Sequence, residues 1–176
     1  RANPESGYFH AAATVRRMTG NRIGIVGLGR TGLAVALRAK AFGLVVHAYD
    51  VNLTPGIEQT LGIERADRLE DLLGVVDIVT LHCPLTDETE NMINRETLAY
   101  MRQNAILVNV SHGKLVDLDA LYDALADYQI SGACLDVLPE EPPSTETSKL
   151  IRDFQLQPEW LSGRLILTPH AGWYSY

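Results

Sequence analysis

The sequence predicts an α/β fold, a doubly wound parallel sheet with helices on both faces. Three observations carry that reading. Short apolar runs recur without polar alternation, as in strands buried on both faces. Stretches of helical character separate them at a steady pitch, the signature of βαβ units. A glycine-rich turn, GLGRTG, joins the first such strand to the first helix.

The elements follow in order. Residues 1–20 form a lead-in segment, partly helical around Ala11–Arg17 and punctuated by Thr19-Gly20. Arg22–Val26 is a β-branched run and the first strand. Arg30–Phe42 is a helix that stops at Gly43, a helix terminator. Leu44–Tyr49 is the second strand and ends at Asp50. Pro55–Leu61 reads as a short helix, Ile63–Arg65 as a minor strand and Arg68–Leu73 as a helix. Asp77–His82 is a strand, Asn94–Met101 a helix and Ala105–Asn109 a strand. Leu118–Tyr128 is an amphipathic helix with Leu118, Leu121, Leu125 and Tyr128 on one face. Ile130–Leu135 and Leu165–Thr168 complete the strands. Between them, residues 139–163 carry Pro139, Pro142 and Pro143 among acids and read as a long surface loop, with a helical turn near Lys149–Phe154.

The chain has 176 residues, enough for one domain with a real core. At 46% hydrophobic and 21% charged, its composition is globular. A net charge of −7 without a basic cluster argues against direct nucleic-acid binding. No apolar run approaches the roughly 20 residues of a membrane span, and no signal peptide is visible. Cys83 and Cys134 form no CxxC pair. They read as reduced thiols of a cytoplasmic protein, with no metal site expected. The first residue is Arg1, which reads as a processed chain or a piece of something longer.

The turn at residues 27–32 has the context that makes GxGxxG specific: a strand before it and a helix after it. Gly27 allows the tight turn, Gly29 lets the backbone approach a pyrophosphate, and Gly32 lets helix and strand pack closely. The helix N-terminus offers N–H groups to phosphates, with Leu28, Arg30 and Thr31 in the same turn. Asp50 closes the second strand about 20 residues on, where an acid accepts from ribose hydroxyls and repels a 2′-phosphate. This is a Rossmann fingerprint, and it favours NAD over NADP.

The series GIVGLGRTG, LRAKAFG, YD at 49–50, VTLHCPLTDET at 79–89, VNVSHGKLVD at 108–117, GACLDVLPEEP at 132–142 and TPHAGWYS at 168–175 resembles the D-2-hydroxyacid dehydrogenase family. The motifs span nearly the whole chain. LRAKAFG and the Trp-Tyr-Ser after the histidine look most like the branch that includes the C-terminal-binding protein corepressors. The resemblance implies hydride transfer between NADH and a small 2-oxo or 2-hydroxy acid, and a homodimer joined through the cofactor domain. It makes His170 the acid/base and Glu141 its partner; Glu140 is the adjacent competitor. An imidazole suits such proton transfer, and a carboxylate raises its proton affinity and fixes its tautomer.

The resemblance also implies that Asp136 contacts the nicotinamide carboxamide, although a strand-end acid can instead cap a loop. By the same resemblance, the segment from His82 through Cys83 and Pro84 to Thr89, together with Val110 and Ser111, is expected to line the adenosine and nicotinamide ribose sides. On their own residues, His82 and His47 read as structural. Ala171, Gly172 and Trp173 resemble residues beside the nicotinamide, and Trp173 can form an apolar wall for substrate.

Two departures stand out. The family's substrate-binding arginine falls on His112. Arginine holds a carboxylate bidentately and stays charged; a histidine makes one or two single bonds, so anchoring weakens by several kcal/mol unless something replaces it. Lys114, two residues on, is one replacement. Family enzymes also have a second, substrate-binding domain, which nothing in these 176 residues resembles. Two functions are therefore expected: an NAD-dependent dehydrogenase domain, or an NAD(H)-sensing scaffold of corepressor type with little turnover.

Overall fold

The computed structural model describes residues 17–146 and 148–174, with the backbone alone at 173 and 174. The expected Ala11–Arg17 helix falls, up to residue 16, outside the described residues. Seven strands form one sheet: β1 (Arg22–Val26), β2 (Val45–Tyr49), β3 (Glu64–Arg65), β4 (Ile78–Leu81), β5 (Ile106–Asn109), β6 (Gly132–Leu135) and β7 (Leu165–Leu167). They are all parallel, in the order β3-β2-β1-β4-β5-β6-β7. The helices are α1 (Arg30–Ala41), α2 (Ile57–Leu61), α3 (Leu69–Val75), α4 (Arg95–Leu98), α5 (Leu118–Ala126) and α6 (Lys149–Leu156).

The order reverses between β1 and β4. Right-handed crossovers to either side of that point put the helices on opposite faces and open a crevice at the strands' C-terminal ends. Two apolar clusters match the two faces. Ala36 and Ala39 of α1, small residues that let helix and sheet approach closely, pack with Ile23, Ile25, Val46 and Ala48. Leu72, Leu81, Leu107, Leu121 and Leu125 belong to the larger cluster. Among the described residues no helix is long and apolar enough to cross a membrane.

Several boundaries differ from expectation for identifiable reasons. Ile130 is fully buried but lies in the turn before β6, where Ser131 donates to Ala105; its apolarity reflects the core, not a strand. The helix expected at 94–101 is α4 alone. Asn94 caps it in a capping box with Thr97, and Ala99, Tyr100 and Met101 tighten to i−3 carbonyls. Tyr128 leaves the apolar face of α5: it takes φ 54° and lies under the Arg164 guanidinium at 4.3 Å. The expected surface loop at 139–163 contains α6, capped by Ser148, with Leu150 and Ile151 buried, and a 3₁₀ turn at Glu159–Leu161 with Leu161 buried.

Asp77 ties the N-terminal ends of three strands together. It accepts from the Arg22 N–H at 2.9 Å, the Arg102 guanidinium at 3.0 Å and the Asn104 amide at 3.1 Å. Burial pushes its carboxyl up, but the Arg22 N–H, Asn104 and the arginines together hold it below the usual range. A depressed folded-state pKa gives stability that is present above the unfolded value and lost as pH falls through the folded one. Asp77→Asn is expected to cost about 1.5–3 kcal/mol at pH 7, the range for hydrogen bonds to a charge. That difference should shrink as urea melts are repeated from pH 5 down to pH 2.

Candidate functional site

The glycine turn has the shape of a phosphate cradle. Gly27 has φ 91°, and a Cβ there would lie 2.7 Å from the Cys83 nitrogen. At Gly32 a Cβ would lie 2.0 Å from the Gly27 carbonyl oxygen. Gly29 differs: a Cβ there would meet nothing within 4 Å. The protein itself does not require a glycine at 29, so the open space above it fits a ligand drawn against the backbone. No side chain caps the start of α1, and the first N–H groups of a helix have no carbonyl of their own. The side chains of Arg30 and Thr31 are exposed beside them. The loop therefore fits a pyrophosphate.

Asp50 stands half-buried at the end of β2 and already holds this loop. Its carboxylate accepts from the Leu28 N–H and the Asn52 N–H, each at 2.7 Å. Each oxygen keeps a second acceptor site, so bracing the loop and meeting a ribose are compatible. The β4 end lies alongside. The Cys83 carbonyl accepts from the Ser111 hydroxyl at 2.6 Å, and Thr89 holds its own turn by donating to the Pro84 carbonyl at 2.8 Å. His82 turns back to the Thr80 hydroxyl at 3.0 Å, and burial lowers its pKa, which makes it a structural neutral imidazole. Both thiols are pushed up by burial and are poor nucleophiles.

Across the crevice, the β6 and β7 ends are built around Asp136, which is 8% exposed. Its carboxylate accepts from the Thr168 hydroxyl, from Ala171 N–H at 2.8 Å and from Gly172 N–H at 2.9 Å. Burial pushes its pKa up, but these donors more than offset this and keep it ionised. Asp136 thus braces the 168–172 loop, the capping role that its strand-end position left open, while its Oδ2, with one of these donors, has room for a second. The loop sets His170 at φ 54° and points its Nδ1 at Glu141 Oε2, 2.8 Å away. Glu141 Oε1 accepts from the Leu138 N–H at 3.1 Å. The His170 hydrogen bond, then the Leu138 N–H, hold the Glu141 carboxyl below its usual pKa.

His112 is exposed, and its carbonyl accepts from the buried Asn109 amide at 2.8 Å. A cavity of about 210 Å³ brings Ser111 and His112 together with Glu141 and His170. Lys114 does not join them: it faces Glu90 at 4.0 Å, so the compensating cation suggested by the sequence is directed elsewhere. The Trp173 side chain lies outside the described parts.

Two positioning residues were missed by sequence reasoning. Asn109 is fully buried and accepts from Ser111 while donating to His112; an amide ending an apolar strand was its signal. Gly113 packs so closely that a Cβ would lie 2.0 Å from the Leu138 carbonyl carbon. No local signal marks it.

A parallel sheet with a glycine cradle at its switch point defines a dinucleotide-binding domain of the Rossmann type. Residues 3–172 match the family described as D-isomer specific 2-hydroxyacid dehydrogenase, NAD binding domain, and the chain belongs to that family. It is 45% identical to a glyoxylate reductase of Korarchaeum cryptofilum over 86% of its length, and 40% identical to a D-3-phosphoglycerate dehydrogenase of Methanocaldococcus jannaschii over 87%. The chain spans 42% and 27% of those two relatives. Its fold superposes on D-lactate dehydrogenase of Lactobacillus jensenii, solved with NAD+, with a TM-score of 0.80 and 32% identity, covering 99% of this chain and 51% of that one.

The cradle makes a sharp prediction. Gly29→Ala should change stability by less than about 1 kcal/mol, the scale of an N-cap change, because φ −70° suits alanine and no protein atom is met. NADH affinity, read by fluorescence titration, should fall at least about tenfold, 1.4 kcal/mol. Unchanged affinity would mean the pyrophosphate does not lie there.

Proposed function

We propose that this domain serves an NAD-dependent D-2-hydroxyacid dehydrogenase interconverting a small 2-oxo acid and its 2-hydroxy acid. The observation that carries the reading is the His170–Glu141 pair, 2.8 Å apart and sharing one cavity with His112. Bound NAD would supply the nicotinamide that gives or accepts the hydride. Gly27, Gly29, Gly32 and the first turn of α1 would hold the pyrophosphate. Asp50 would accept from a ribose and disfavour a 2′-phosphate. Cys83, Pro84 and Thr89 would border the adenosine side, and Val110, Ser111 and Gly172 the nicotinamide side.

With Nδ1 turned to Glu141, His170 carries the transferred proton on Nε2. It gives that proton to the oxo oxygen in reduction and takes it from the hydroxyl in oxidation. Glu141 fixes the ring's orientation and tautomer. His112 meets the substrate carboxylate. In the full native protein this domain would form a homodimer and work in the cytoplasm, as its reduced thiols suit.

One observation favours a second reading, an NAD(H)-sensing scaffold with little turnover: an exposed histidine occupies the seat of the expected arginine. A single experiment separates the two. NADH binding is titrated, and glyoxylate, pyruvate and bulkier 2-oxo acids are assayed. Binding with turnover supports the dehydrogenase, binding without turnover on any acid supports the scaffold, and absence of binding sinks both. In the dehydrogenase, His112→Arg should lower the KM for the oxo acid. An unchanged or higher KM would show that carboxylate anchoring lies elsewhere.

A further inference from the structure

The His170–Glu141 pair stands between two cavities. The smaller holds Ser111 and His112. The larger, about 810 Å³, also includes Leu138, Glu141 and His170, and extends to Ile151, Phe154, Leu167 and Pro169. Its volume lies within the range of small-molecule sites, roughly 300–1,000 Å³. It is too large for the hydrogen or methyl group that glyoxylate or pyruvate carries at its carbonyl.

The larger cavity has a built outer wall. Ser148 caps α6 by accepting from Ile151, and Asp153 of α6 accepts from the Tyr122 hydroxyl of α5 at 2.9 Å. Tyr122 in turn packs edge-on against Trp160. The two carboxylates lining the cavity have their donors: Asp136 from Thr168, Ala171 and Gly172, and Glu141 from Leu138 and His170. An apolar group can therefore enter without stripping a hydrogen bond from either.

A 2-oxo acid has matching geometry, with its carboxylate on one side of the reacting carbonyl and its side chain on the other. We propose that the larger cavity receives the side chain of a branched aliphatic or aromatic 2-oxo acid, and that Phe154 and Ile151 set this preference. The proposal rests on the dehydrogenase reading and names its substrate class.

The test compares kcat/KM for 4-methyl-2-oxopentanoate, phenylpyruvate and glyoxylate in the full native protein. The bulky acids should exceed glyoxylate by at least about tenfold, the low end of what one methylene decides in an apolar pocket. Gln155→Phe narrows the cavity from its exposed rim and Phe154→Trp from its wall; each should cut that ratio by about tenfold or more. NADH titration of the same variants reports whether each is folded, and the exposed position of Gln155 keeps that arm readable. Preference for glyoxylate in the parent, or a ratio that neither variant moves, overturns the subsite while leaving the dehydrogenase reading intact. Failure to reduce any of the acids, with NADH bound, overturns both.

Discussion

The working end of this domain depends on one buried carboxylate. Asp136 gathers a hydroxyl and two N–H groups from the loop after β7 and holds His170 at a left-handed φ of 54°. Such a conformation costs a non-glycine residue about 1–3 kcal/mol. Hydrogen bonds to a charged acceptor each contribute about 1.5–3 kcal/mol, so three of them more than offset the strain. The backbone adds a fourth tie, from His170 N–H to the Asp136 carbonyl at 2.9 Å. The ring is thereby delivered to Glu141 by backbone geometry.

A second strut works in the same way one strand away. Asn109 ends β5 with no exposed surface, shapes the 109–112 turn through its amide, and receives the Asp136 N–H on its carbonyl. Gly113 then lets that turn lie against Leu138, whose own N–H holds Glu141. The proposed carboxylate anchor and the proposed proton-transfer pair are thus mechanically joined, and a shift in either turn reaches both.

Much of the sheet was legible in the sequence because its central strands, β1 and β4, are buried apolar runs, and because Gly27 and Gly32 of the cradle have a steric reason. His170 and Glu141 were another matter. They lie 29 residues apart, and only a resemblance to a known family joined them; nothing in their spacing does. What local patterns hid was tertiary. Ile130 looks like strand because a buried turn is as apolar as a strand. Helix α6 was legible only as a helical turn near Lys149–Phe154, because the prolines at 142, 143 and 158 bracket it as they would a loop; its Ser148 cap marks its start. The loop-bracing bond from Leu28 to Asp50, the turning of Lys114 towards Glu90 and the need for glycine at 113 all arise from contacts that no local pattern displays.

The central claim is that His170 and Glu141 act as one proton-transfer unit beside a bound nicotinamide. A double-mutant cycle on kcat, with saturating NADH and a 2-oxo acid, tests it most directly. His170→Gln should lower kcat by about 10²–10⁴. Glu141→Gln should lower it less, and the double variant should be no slower than His170→Gln alone, because the glutamate acts only through the ring. Additive losses, with the double variant slower by the product of the two single factors, would contradict the account.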